Sequence, residues 1–158
     1  MTALPDAAAR VADAARALGL AIEVRQMPAS TRTAEDAAAT CGCALGQIVK
    51  SLVFRGRASG EPVLLLVSGV NRVNEKGLVA VLGEAVKRVD ADAVRALTGF
   101  AIGGIPPFGH ATRLRTVLDR DLLAHDVVWA AAGTPDCVFA VAPRALAEAV
   151  GAIVATVV

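Results

Sequence analysis

The sequence predicts a single compact α/β domain built on a mixed β-sheet with helices around it. Three observations carry that expectation. The chain has 158 residues, the span of one ordinary domain. Its apolar fraction is 55 % against 20 % charged, enough to fill a core and too apolar for a disordered chain. β-rich runs also mix irregularly with short alanine-rich segments, without the regular strand–helix repeat of a doubly wound sheet. No linker, repeat or low-complexity stretch divides residues 1–158, which read as one domain.

Each element has a local reason. Residues 5–18 carry Leu4, Val11 and Leu18 at helical spacing, and Gly19 ends that helix. Residues 22–26 alternate apolar and polar side chains, as a half-buried strand does. Residues 27–32 form a loop, and Thr33 with Asp36 gives an N-cap signal for a helix over 34–40 that Gly42 breaks. Residues 48–54 and 62–67 are two β-rich runs around a connection with two glycines, a hairpin pattern. A helix over 74–82 ends at Gly83, and a short strand spans 86–89. Asp90 caps a helix over 90–97, with Gly99 beyond its end. Residues 114–118, 127–131 and 137–141 read as strands, the last two flanking a Gly133-Thr134-Pro135-Asp136 turn. Pro143 opens a helix through Val150, and 153–157 is a last strand.

Composition excludes several classes. The formal net charge is +1, and the basic side holds thirteen arginines and only three lysines, Lys50, Lys76 and Lys87. That balance lacks the clustered cations of a DNA-binding surface. No uninterrupted run of about 18 apolar residues exists, so no transmembrane helix is expected. The N-terminus reads as an amphipathic helix rather than a signal peptide, which points to the cytoplasm. Three cysteines, an odd number, fit reduced thiols. Cys41-Gly42-Cys43 lacks the spacing of a zinc or redox site, so no metal is expected.

Three places carry possible chemistry. In Ile48-Val49-Lys50-Ser51-Leu52-Val53-Phe54, strand alternation puts Lys50 on the face of Ile48, Leu52 and Phe54. A lysine facing inward is costly unless it is paired or meets a polar cavity. It therefore either lines a pocket for an anionic or carbonyl group, or snorkels from a sheet edge. Gly103-Gly104-Ile105-Pro106-Pro107-Phe108-Gly109-His110 is stiffened by its prolines and permissive at its glycines. Such a loop either aims N–H groups at an oxyanion or simply connects two elements rigidly. The third place, residues 131–136, either leaves room for a substrate at Ala131 and Ala132 or is an ordinary turn capped by Asp136. His110 is a pocket-rim candidate and His125 a structural one. No Ser/His/Asp or Cys/His centre is evident.

Gln47 to Phe54, Leu97 to Gly109 and Trp129 to Asp136 occur in this order. Together they resemble the YbaK/EbsC family, the ProX-like aminoacyl-tRNA editing domains, over about residues 5–157. The resemblance implies the YbaK/ProX-like fold: a mixed, partly barrel-like sheet with surrounding helices. It also implies a free-standing relative of the editing domain in bacterial prolyl-tRNA synthetase, one that hydrolyses the ester of a mischarged tRNA. Lys50 matches the family's strand lysine, Gly103 and Pro107 its Gly-x-x-x-Pro loop, and Gly133 a glycine after the strand that closes the pocket. Ala131 and Ala132 stand where some members have Ser or Gly, and many members lack a histidine at position 110.

On that resemblance Lys50, Gly103 and Gly104 carry the catalysis, with Gly133 as a further N–H donor. Ser51, Thr31, Pro107, His110, Ala131, Gly133 and Asp136 bind substrate. The partner is the CCA end of a mischarged aminoacyl-tRNA, with a small amino acid on tRNA(Pro), and a synthetase is a further partner. No cofactor and no DNA or membrane contact are implied. The competing reading is a non-catalytic module that binds aminoacyl ends or accompanies a synthetase.

Overall fold

Leu64, Leu65, Leu66 and Val67 are all fully buried. An apolar run without polar alternation suits a strand covered on both faces. In the structure, a computed structural model describing residues 3–158, this run is the middle strand of the larger sheet. The strands are β1 (Arg25–Gln26), β2 (Val49–Gly56), β3 (Pro62–Ser68), β4 (Val86–Arg88), β5 (Arg115–Asp119), β6 (Val128–Ala131), β7 (Cys137–Val141) and β8 (Ile153–Ala155). The helices are α1 (Asp6–Ala17), α2 (Ala34–Cys41), α3 (Leu78–Leu82), α4 (Ala91–Thr98) and α5 (Pro143–Val150), with 3₁₀ turns at Leu45–Gln47 and Arg120–Ala124.

The five-stranded sheet runs β4-β2-β3-β5-β8 and is mixed: β2 is antiparallel to β3 and β4, whereas β3–β5 and β5–β8 are parallel. The expected mixed sheet is therefore present. A second, antiparallel sheet of order β1-β7-β6 stands beside it and meets it at the Ile48–Trp129 bridge.

Two cores follow from β2 and β3 alternation. Val49, Val53, Leu64 and Leu66 face one core with α1 (Ala8, Val11), Phe100, Phe108 and Phe139. Phe54, Leu65 and Val67 face another with Leu78 and Leu82 of α3. Burying side chains of this size is worth about 1.5–3 kcal/mol each, so the sheet is anchored from both sides.

Caps match the expected signals. The Thr33 hydroxyl accepts from Asp36 N–H at 3.1 Å, and the Asp90 carboxylate accepts from Ala93 N–H at 2.8 Å. Three expectations need correcting, and the simplest is the last strand, expected over 153–157, which ends at Ala155. The strand over 22–26 shrinks to Arg25–Gln26, exposed at both residues, because Ile22 and Val24 turn to the first core before pairing with β7 begins. The helix over 74–82 starts only at Leu78, since Asn74 closes a turn by taking the Gly77 N–H on its own carbonyl and side chain. Among the described residues no helix is long and apolar enough to cross a membrane.

Candidate functional site

β4 pairs with β2 only from Phe54 to Gly56. Between that pairing and the Ile48–Trp129 bridge the outer edge of β2 has no strand partner, and a cavity of about 690 Å³ lies along it. That volume is within the range of small-molecule sites. Lys50, Ser51, Thr31, Gly103 and Ala131 all line it.

Lys50 is half-buried, and its ammonium donates to the Asn71 carbonyl. Burial pushes its pKa below the ordinary lysine value; Glu35 and Asp119 oppose that shift and Arg72 adds to it. Asn71 is itself fixed. Its N–H donates to the Ser68 carbonyl at 2.9 Å, and its side-chain amide donates to Asp119 at 2.8 Å and Asp121 at 2.7 Å. Asp119 is 1 % exposed and also accepts from the N–H groups of Ser68 and Asp121, both at 3.0 Å. A buried carboxylate is tolerable when several donors satisfy it. Lys50 thus rests on a loop pinned by a buried acid at the end of β5.

The opposite wall behaves differently. Gly103 lines the cavity at φ +97°, and its N–H has no protein partner among the described residues. Gly104 N–H donates to the Ala101 carbonyl at 3.1 Å, and Gly133 N–H to the Gly104 carbonyl at 2.8 Å. Those two donors are committed within the protein. A Cβ on Gly104 would stand 2.8 Å from Thr134 N, and one on Gly133 would stand 2.7 Å from the Ala7 carbonyl oxygen. Both glycines allow backbone to pack on backbone.

Pro107, His110, Gly133 and Asp136 lie outside the cavity lining. The His110 ring is hydrogen-bonded to the Pro106 carbonyl at 2.7 Å, and burial lowers its pKa. Asp136 accepts from Gln26 at 3.0 Å and from the Thr134 hydroxyl at 2.7 Å, bonds that hold its pKa below the usual aspartate value. The Thr31 hydroxyl donates to the Pro135 carbonyl at 3.0 Å, so this turn fastens the loop that leads into α2. Ala132 is fully buried behind Ala131.

The cavity also gathers Arg32, Arg72 and Arg88 around Lys50, with Glu75 the acid among its lining residues. Arg88 reaches Glu75 at 3.6 Å. These arginines stand forty residues and more apart in sequence at the extremes, and a net charge of +1 gives no sign of them. Asn71 and Asp119 were also missed. The available signal for Asp119 was a carboxylate at the end of an apolar strand, followed two residues later by Asp121.

The aminoacyl-tRNA editing domain family matches residues 28–149. The chain is similar to YwhH of Bacillus subtilis, 33 % identical and covering 80 % of each chain. EbsC of Enterococcus faecalis, provisionally described as a Cys-tRNA(Pro)/Cys-tRNA(Cys) deacylase, is 28 % identical over 72 % of this chain and 70 % of that one. A crystal structure provisionally assigned as a trans-editing enzyme for prolyl tRNA synthetase superposes with a TM-score of 0.91 at 46 % identity, covering 98 % of both chains.

Proposed function

Because the chain belongs to the aminoacyl-tRNA editing domain family, we propose that it is a free-standing deacylase that hydrolyses the ester of mischarged tRNA. The observation that carries this reading is the pairing, in one cavity, of a braced ammonium at Lys50 with a cavity-lining glycine, Gly103, whose N–H is free of protein partners.

The reaction needs little else. Water attacks the ester carbonyl carbon, negative charge gathers on the carbonyl oxygen, and the bond to the ribose oxygen breaks. A proton passes to that ribose oxygen, leaving a free amino acid and a tRNA with its terminal hydroxyl restored. Gly103 N–H is placed to stabilise the charge on the oxygen. Lys50 holds the phosphate of the terminal adenosine as a point charge, with Arg32, Arg72 and Arg88 adding positive potential around the cavity. The free hydroxyl of the terminal ribose orients the water, since Glu75, the carboxylate in the lining, is engaged by Arg88 at 3.6 Å. The substrate is a small amino acid on tRNA(Pro), met at its CCA end in the cytoplasm, and a synthetase is a further partner. Gly104, Gly133, Pro107 and Asp136 hold the walls in shape rather than touching the ester.

The test is a panel of mischarged tRNAs incubated with wild type and Lys50→Ala. Ester loss on one or two pairs that falls by about 100-fold or more in the variant supports the reading. Tight binding across the panel without any hydrolysis points instead to a sensor of aminoacyl ends.

A further inference from the structure

On its outer edge β2 is met by β4 from Phe54 onward and by the Ile48–Trp129 bridge at its start, and Ser51 lies between them. Gly56 N–H donates to the Glu61 carbonyl at 2.9 Å, and Gly69 N–H donates to the Ile48 carbonyl at 2.8 Å. Both bonds continue the β2–β3 register, so even-numbered β2 residues exchange hydrogen bonds with β3. Ser51 sits opposite Leu66 as a non-hydrogen-bonded pair, and its N–H and C=O point to the other edge. Arg57 N–H, donating to the Ala85 carbonyl at 2.8 Å, confirms that parity on the β4 side. β4 reaches only Phe54, so nothing in the β4 ladder meets Ser51. The Ser51 hydroxyl oxygen is buried and has no hydrogen-bond partner. An open strand edge at a half-buried residue calls for something to pair with it.

We propose that the aminoacyl group of the substrate docks on this edge as one residue of an added strand, its side chain read by the Ser51 hydroxyl. The identity of the ligand rests on the deacylase reading above. An aminoacyl ester carries one donor and one acceptor about its Cα, as a residue in a strand does. Its α-ammonium donates to the Ser51 carbonyl, and its ester carbonyl accepts from the Ser51 N–H, the exchange of a hydrogen-bonded antiparallel pair. Ser51 N–H is then a second donor to the oxygen assigned above to Gly103.

This docking fixes where the side chain goes. Residues directly opposite in an antiparallel pair project side chains to the same face, about 4.5–5.5 Å apart at Cβ. The substrate side chain therefore lies beside the orphaned Ser51 oxygen. A one-carbon side chain ending in a hydroxyl satisfies that oxygen, whereas a methyl leaves it unpaired, so the site favours seryl over alanyl esters. A D-residue docked through the same two bonds would turn its side chain to the opposite face and lose the contact.

The test uses two non-hydrolysable amides, 3′-deoxy-3′-(L-seryl)aminoadenosine and its L-alanyl counterpart, with the full chain. The seryl compound is expected to bind about three- to tenfold more tightly, the worth of one neutral hydrogen bond. In Ser51→Ala the ratio falls to about one. In ¹⁵N-labelled protein the Ser51 amide shifts on binding and gains protection from hydrogen exchange. Equal affinities in the wild type, a ratio that survives Ser51→Ala, an unmoved Ser51 amide, or no binding of either compound overturns the proposal. Hydrolysis is scored separately. Binding through Ser51 with no ester cleaved sinks the deacylase reading alone; cleavage with the Ser51 amide unmoved sinks the edge alone.

Discussion

The two walls of the cavity treat their polar groups in opposite ways. Along β2, Lys50 and Ser51 line the cavity, Lys50 with its ammonium on the Asn71 carbonyl and Ser51 with a buried, unpaired hydroxyl, and the buried Asp119 network stands behind Asn71. Along the glycine loop, Gly104 and Gly133 spend their N–H groups on protein carbonyls, and of these three glycines Gly103 is the one that lines the space. On the proposed function one wall serves the chemistry and the other the shape. Glycine at Gly104 and Gly133 answers a steric demand, since a Cβ on either would fall under 3.0 Å from backbone atoms.

The largest expected effects set the walls against each other. Gly133→Ala places a methyl against the Ala7 carbonyl at 2.7 Å and strains a backbone at φ +97°. Overpacking and positive-φ strain each cost about 1–3 kcal/mol, so a stability loss of about 3 kcal/mol or more is expected in urea denaturation. Lys50→Ala should do the reverse, with the denaturation midpoint nearly unchanged and deacylation lost. A Gly133→Ala protein of unchanged stability and no activity would break the division between the walls.

Gly103→Ala tests the residue where the walls differ least. Its Cβ would meet the Arg32 side chain at 2.8 Å, a flexible neighbour that can move, so the cost is mainly positive-φ strain of about 1–2 kcal/mol. Because Gly103 also lines the cavity, kcat is expected to fall by about tenfold or more even where the protein stays folded. Loss of stability with full kcat per folded molecule would move Gly103 to the structural wall.

Asp119→Asn sharpens the other side. It swaps a carboxylate that takes three N–H donors for an amide that brings donors of its own. About 1–3 kcal/mol of stability should go, together with the Asn71 carbonyl's hold on Lys50. If Asp119 is a positioning residue acting through Lys50, its kcat effect disappears in a Lys50→Ala background, which a double-mutant cycle measures. Additive effects would make it purely structural.

The sequence made the fold largely legible, and the site less so. Buried runs such as 62–67, caps at Thr33 and Asp90, and glycine stops act within a few residues, so their signals are local. Lys50 was legible because a charge among β-branched neighbours stands out at short range. Arg72, Arg88, Asn71 and Asp119 were not, because only the pairing of β2 with β3 and β4 and the crossover to β5 bring them to Lys50. The glycine loop was misleading for a different reason. Ligand cradling and backbone crowding both select glycine, and only the hydrogen bonds and the Cβ contacts separate them. Ser51 was named on the resemblance, and its place on an open strand edge became legible only through the β2–β3 register.

The smallest effect is expected at Asp136, which stands outside the cavity but fastens the shape-giving wall. Gln26 and the Thr134 hydroxyl stabilise its carboxylate, so its pKa is lower folded than unfolded. Its contribution is then present above the unfolded value and fades as pH falls through the folded one. Because the group is only partly buried, solvent screening keeps that contribution small. Asp136→Asn should lower the urea midpoint slightly at neutral pH, and the gap should close as acid protonates the wild-type carboxyl. KM and kcat for an aminoacyl ester should stay within about twofold, since only the fastening of the 27–31 loop is touched. A KM raised by tenfold with an unchanged urea midpoint would instead put Asp136 in contact with substrate and extend the chemical wall across the turn.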